Sequence, residues 1–313
     1  MEKIATRDAY GQTLVELGQE NENIVVLDAD LSQSTKTSLF ARHFPERFFN
    51  MGIAEQDLMA AAAGFSLEGL IPFASTFAIF ATGRAFEVIR NSIAYPRLNV
   101  KIAASHAGLT VGEDGASHQA IEDISLMRSL PNMRVIVPAD AVETKKVVRK
   151  VAQTPGPFYI RLGRPAVPVI LEEEYEFEIG RALELFGGKD AYIVACGIMV
   201  SIALEAAEQL RKDGLDVGLI NMSTIKPLDE EMIVKVAEKS GALVTAEEHS
   251  VIGGLGSAVA EVLVKRYPVP LEMVGIRDKF GESGKPDELL HNYGLTSQAV
   301  YDAVLKVIER KKY

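Results

Sequence analysis

Residues 24–34 read IVVLDADLSQS, and the fold follows from how that stretch is built. Ile24, Val25, Val26 and Leu27 are apolar, three of them β-branched, and they run without interruption into two acids and two serines. A short apolar run closed by turn-forming polar residues is the pattern of a strand buried on both faces, with a loop at its carboxyl end. The pattern recurs. GIAEQ (52–56) follows RFFNM, STF (75–77) follows LIPFA, and SHAGLTVGEDG (105–115) follows VKIAA. MRVIVPAD (133–140) and PFYIRLG (157–163) are two further runs of the kind.

Helical periodicity lies between these runs. Leu58, Ala62 and Phe65 recur at i, i+4, i+7, as do Val200, Leu204 and Ala207. Val300, Val304 and Val307 repeat the spacing opposite Asp302, Lys306 and Glu309. Strand and helix alternating in this way predict a parallel sheet covered on both faces. The alternation breaks once, from Pro165 to Asp190, where two prolines, an acidic run and a Gly-Gly pair intervene. A second set follows, with YIVACG, VGLINMS, ALVTAEE and LEMVGIRD as strands. The expected fold class is therefore α/β, two open, mostly parallel-sheet domains: 1–165, a linker over 166–190, and 191–313.

With 313 residues, 48% of them hydrophobic, the chain has ample material for packed cores, which excludes disorder. A net charge of −10 with no basic patch makes it a poor binder of nucleic acid. The single cysteine, Cys196, sits in an apolar run, so no intrachain disulfide forms and a small buried core residue is expected. The start, MEKIATRDAYGQTLVEL, mixes charges and reads as an amphipathic helix rather than a leader. The longest apolar stretch, Gly69 to Gly83, is too short and too polar to span a bilayer. No membrane contact and a cytoplasmic location are the expectations.

Ligands of open parallel sheets bind outside the carboxyl ends of the strands, where every polar cluster of the first half falls. Glu55 opens an apolar helix, so it is either a first-turn acid favoured by the helix dipole or a buried carboxylate aimed at a ligand nitrogen. Phe77 and Phe80, three apart on one helical face, read as core residues. The stretch Ser105–Gln119 carries two of the five histidines, His106 and His118, two acids including Asp114, and three glycines. It is a solvated turn or a functional loop, and its histidines lack the spacing of metal ligands. Arg7, Ser34 and Arg164 read as surface residues. Asp30 is a candidate N-cap. SVIGGLGSAVAE (250–261) follows a strand and opens a helix, but Val259 stands where a dinucleotide fingerprint needs its third glycine.

The whole chain resembles transketolase, most clearly from Asp28 to Asp140. The resemblance is carried by DADLSQS, GIAEQ, STFAIF and SHAGLTVGEDGASHQAIEDISLMRSLPNMRVIVPAD. It implies a pyrimidine-binding domain of a thiamine diphosphate enzyme followed by the transketolase C-terminal domain, the latter with packing and oligomerisation roles. It implies that Glu55 bonds a ring nitrogen of the cofactor's aminopyrimidine and relays the proton lost from the thiazolium carbon. Phe80 then stacks on that ring with Phe77 beside it, and Asp30 supports the cofactor region. His118 lies by the cofactor amino group and the donor carbonyl, and Asp114 bonds a sugar hydroxyl. His106, Arg7, Ser34 and Arg164 belong to the phosphate end, with Arg164 preferred over Arg161. An aromatic common in the family one turn beyond Phe80 is Gly83 here.

Nothing in the sequence matches the Gly-Asp-Gly segment of the domain that grips the diphosphate and its metal. The chain is thus expected to be the C-terminal subunit of a split transketolase. A partner subunit would ligate magnesium or calcium in a heterotetramer with two copies of each chain. The implied reaction moves a two-carbon ketol unit from a ketose phosphate to an aldose phosphate. A split deoxyxylulose phosphate synthase, a 2-ketoacid dehydrogenase β subunit and a non-catalytic regulatory subunit are the alternatives.

Overall fold

The apolar runs become strands in a computed structural model, which describes residues 2–311. In chain order they are β1 (Lys3–Ala5), β2 (Ile24–Asp28), β3 (Phe48–Asn50), β4 (Ile71–Ser75), β5 (Lys101–Ala104), β6 (Arg134–Ile136) and β7 (Phe158–Arg161). Then come β8 (Ala166–Pro168), β9 (Leu183–Phe186), β10 (Ala191–Ala195), β11 (Val217–Asn221), β12 (Thr224–Lys226), β13 (Leu243–Ser250) and β14 (Leu271–Ile276). A seven-stranded sheet has the order β12-β6-β7-β5-β4-β2-β3 and a five-stranded sheet the order β14-β13-β10-β11-β9. Both are parallel except for one antiparallel edge strand each, β12 and β9. The fold class is the α/β arrangement of two mainly parallel sheets expected from the sequence.

Three details differ from the sequence reading. The N-terminal helix starts at Thr6, because β1 precedes it and pairs with β8. Tyr10, Leu14 and Leu17 then form its buried face at i, i+4, i+7. Residues 166–190, read as a linker, carry β8 and β9 and are tied to the first unit by Asp140, whose Oδ2 accepts the N–H groups of Ile170 and Leu171 at 2.8 Å each. Lastly, β12 leaves the second half to pair with β6, so the units interlock. One apolar cluster runs from Leu27 and Ala74 through Val137 and Cys196 to Val236 and Val259. Cys196 is buried there, and burial pushes its thiol well above the ordinary range. Among the described residues no helix is long and apolar enough to cross a membrane.

The first sheet changes direction between β2 and β4, since β3 continues on one side and β5 on the other. Their carboxyl ends are Asp28 and Ser75, which lie opposite each other in register. A ligand crevice belongs at such a switch point.

Candidate active site at the switch point

Asp28 shapes the first loop. Its buried carboxylate accepts the Leu31 N–H (2.6 Å) and the hydroxyls of Thr35 (2.7 Å) and Thr37 (2.9 Å), which curls the chain back after β2. Burial raises its pKa, and those three donors work against the rise. Asp30, next along, does not cap the helix: the cap position of Ser32–Thr35 is Leu31. Asp30 is exposed at φ 62° and pairs with Asn50, whose Nδ2 donates to it at 2.9 Å. Asn50 Oδ1 also accepts the Gly52 N–H (3.0 Å), so this rim borders the turn into Glu55.

Glu55 opens the helix Glu55–Leu67 and is only 2% exposed. Its Oε2 accepts from Arg84 Nη1 at 2.7 Å, while Arg84 is itself about half exposed, at 49%. The Arg84 guanidinium also lies 4.6 Å from the centre of the Phe80 ring. Wide π-helical winding brings it there: Ala85 N–H bonds to Phe80 O five residues back, and Phe80–Arg84 is a π turn. Gly83 faces open space, so the third aromatic wall common in the family has no counterpart, and Arg84 covers Phe80 instead.

Phe77 stands before this helix, bridged to Ser105, rather than within it. Its ring stacks on Phe80 (6.0 Å, 14°) and on His106 (3.8 Å, 21°). His118 meets Phe80 edge-on at 5.3 Å, and its Nδ1 lies 3.0 Å from Ser117 Oγ. His106 is buried, with Nε2 3.2 Å from Arg7 Nη1 and Nδ1 2.9 Å from Ser105 Oγ. Arginine can only donate, so Nε2 accepts and the ring proton sits on Nδ1, directed at Ser105. Burial first, then Arg7 and Arg164, push the His106 pKa down to about 3, so the imidazole is neutral.

Arg7 also donates to the Ser34 carbonyl at 2.9 Å, so the recorded role of Ser34 is through its main chain. Arg7 Nε is buried without a hydrogen-bond partner among the described residues. Burial and the nearby Arg164 lower the Arg7 pKa against the opposing pull of Asp8. Arg164 donates to the Val111 carbonyl and lies 3.4 Å from Asp114 and 3.7 Å from Glu113. Arg161, three residues earlier, is buried in an ion pair with Asp123 at 2.7 Å. Contacts thus link Glu55 through Arg84 to Phe80, Phe80 to Phe77 and His118, and Phe77 through His106 to Arg7 and Ser34, and they join Asp114 to Arg164. Asp30 stays on the rim.

Two residues of this site went unread in the sequence. Arg84 could have been found as a cation four residues after an expected pocket aromatic. Asp28 carries no local signal that separates it from Asp30; only the threonines that fold back onto it do. In the second half, the glycine turn has its own anion, because Glu247 accepts the N–H groups of Leu255 (2.7 Å) and Gly256 (2.8 Å). A carboxylate of the chain occupies the helix N-terminus that a dinucleotide site offers to phosphate.

Residues 2–169 match the family profile "Transketolase, pyrimidine binding domain" and residues 180–300 match "Transketolase, C-terminal domain". The chain belongs to the transketolase family. It is 51% identical over 308 residues to a transketolase C-terminal section of Methanocaldococcus jannaschii, covering 97% of this chain and 96% of that one. It is 43% identical to a 6-deoxy-6-sulfo-D-fructose transketolase subunit of Clostridium sp. (strain MSTE9), with 98% and 95% covered. Human transketolase is 37% identical, and the match spans 99% of this chain but 50% of the human one. A solved structure described as a split gene transketolase, inactive beta4 tetramer, superposes with a TM-score of 0.93 at 62% identity, covering 98% and 99% of the two chains.

Proposed function

We propose that this chain is the pyrimidine-binding and C-terminal subunit of a two-chain, thiamine diphosphate-dependent transketolase that moves a ketol unit between sugar phosphates. The observation that carries this reading is the Arg84 guanidinium. A planar group bearing N–H donors already lies between a buried carboxylate, Glu55, and an aromatic face, Phe80. An aminopyrimidine is likewise planar: its face would stack on Phe80, and its ring nitrogen, which accepts when neutral and donates once protonated, would share a proton with Glu55, so the residues fit the cofactor. Glu55, Phe80, Phe77 and His118 would hold its ring, with Asp30 at the rim, and a partner subunit would hold the diphosphate and its divalent metal. Bound there, the cofactor supplies the electron sink for breaking a carbon–carbon bond beside a ketone.

The chain's own groups then have separate tasks. Glu55 moves a proton at the ring nitrogen, a role suited to a carboxylate screened from water at a helix N-terminus. His118, half-buried and held edge-on to Phe80, moves a proton at the sugar carbonyl. Asp114 accepts from a sugar hydroxyl. Arg7 and Arg164, near enough for Arg164 to lower the Arg7 pKa, take the phosphate; Arg7 Nε, without a partner among the described residues, is the donor left for it. His106 accepts from Arg7 and so orients it. The relatives differ in substrate, one being named for sulfofructose and one as an apulose-4-phosphate transketolase subunit. A ketose phosphate is the reading the arginine pair supports here.

The test is ketol transfer from xylulose 5-phosphate to ribose 5-phosphate with thiamine diphosphate and magnesium, using this chain alone and mixed with a diphosphate-domain chain. Activity is expected only in the mixture, from an assembly with two copies of each chain. Glu55→Ala in the mixture lowers turnover by about 10²–10⁴-fold, the usual worth of a general acid–base. Full activity of Glu55→Ala, or turnover by this chain alone, overturns the reading.

A further inference from the structure

The second sheet has a switch point of its own, between β10 and β13, because β11 flanks β10 on the other side. Open α/β sheets hold ligands in that crevice. Here the first domain fills it. Glu248, near the end of β13, is buried, and its Oε1 accepts the Thr110 N–H at 2.7 Å. Gly108, at φ 81°, passes so close that a Cβ there would land on the Glu248 carboxylate. Arg161 Nη2 donates to the carbonyls of Glu248 (2.9 Å) and Ala120 (3.2 Å). What remains of the crevice, between Thr110, Arg161, Gly197 and Glu248, is a cavity of about 20 Å³, room for one water.

The far end of the same loop is gripped by the segment after β14. Gln119 Nε2 donates to the carbonyls of Glu282 (2.9 Å), Leu109 (3.2 Å) and Gly112 (3.4 Å). A Cβ at Gly281 would collide with the Gln119 amide, and one at Gly115 would stand 2.5 Å from Ser283 Oγ. Between these anchors Asp114 is exposed and, among the described residues, meets Arg164 alone, and His118 is half-exposed beside Ser117. Their placement is therefore inherited from the loop backbone.

We infer that Glu248 is a positioning residue: with the 277–285 segment, it makes the C-terminal domain a mould for the loop that presents Asp114 and His118 to substrate. The domain takes this loop where other α/β domains take a small molecule. The inference rests on the proposed function for the roles of Asp114 and His118, but not for the geometry.

In the reconstituted two-chain enzyme, Glu248→Ala raises the KM for the ketose phosphate donor about tenfold, because one buried N–H loses its acceptor. Glu248→Gln, which keeps an acceptor oxygen in place, restores the KM. Hydrogen exchange of the free chain reads the same contact without turnover: Glu248→Ala speeds exchange over 109–119 and leaves 28–35 unchanged. Gln119→Ala carries the same expectations if Glu248→Ala does not fold. An unchanged KM together with unchanged exchange overturns the inference. So does a loss of kcat in proportion to the folded fraction with KM unmoved, which marks a purely structural role. A wild-type mixture inactive on ketose phosphates, whose 109–119 exchange still responds to Glu248→Ala, rejects the functional reading and keeps the positioning.

Discussion

At the residue scale burial sets the proton affinity of the groups at the inner end of the site. His106 is the clearest case. Its folded pKa is about 3 against an ordinary 6.5, with burial the main cause. Between those values the unfolded chain binds a proton that the folded chain refuses, so stability is complete above about pH 6.5 and is lost as pH falls toward 3. His106→Gln should flatten the fall in melting temperature between about pH 6.5 and about pH 4, measured by thermal denaturation. A decline as steep as that of the wild type would assign the acid sensitivity elsewhere. Arg84 makes the second prediction. It holds Glu55 and covers Phe80, so a cofactor ring must displace it. Arg84→Ala should tighten thiamine diphosphate binding by the assembled enzyme in a calorimetric titration; weaker binding would make Arg84 a ligand instead of a competitor. The sequence displays Glu55, Phe77, Phe80, His106 and His118 as types in a pattern, but Arg84 comes to Glu55 only through the π turn, which no local propensity announces.

At the element scale, caps and strand ends set where the loops leave the sheet. Asp140 shows how one side chain serves two elements. Its Oδ1 accepts the Glu143 N–H (2.9 Å) at the start of the helix Ala141–Gln153, while Oδ2 takes the two N–H groups that follow β8. Asp140→Ala should cost about 1–3 kcal/mol in urea unfolding, more than a single exposed cap, because buried donors are left without acceptors. A cost within a few tenths of a kcal/mol would mean water replaces the carboxylate. Strands and helices were legible because apolar runs and i, i+4, i+7 spacing record burial directly. The pairing of 166–168 with residues 3–5 was not, since short edge strands carry too few residues to display a period.

At the scale of the whole molecule, buried polar groups join the two units across an apolar core. Arg161 and Asp123 pair inside the first unit, where Tyr159 OH donates to the same carboxylate oxygen at 2.6 Å, and Arg161 Nη2 reaches across to the Glu248 carbonyl of the second at 2.9 Å. Burial opposes both charges, yet each outweighs it for the other: Asp123 lies below the usual carboxylate range and Arg161 above its ordinary value. Removing one partner strands the other charge. Asp123→Ala should destabilise the chain by about 3–5 kcal/mol in chemical denaturation and lower the unfolding of both units together. Unfolding of the first unit alone, with the second unchanged, would show that the interface does not couple them.

The sequence by itself determined that the chain is α/β with mainly parallel sheets, and that polar clusters collect at the carboxyl ends of the first sheet's strands. Burial periodicity and turn chemistry are local, so they survive in a linear text. Tertiary structure decided which of two neighbouring acids is buried, which of two arginines is locked in a buried ion pair, and that the crevice at the second sheet's switch point is filled by the first domain's loop. The last depends on contacts between residues more than a hundred positions apart, such as Thr110 with Glu248, and all three on burial that only the assembled fold creates.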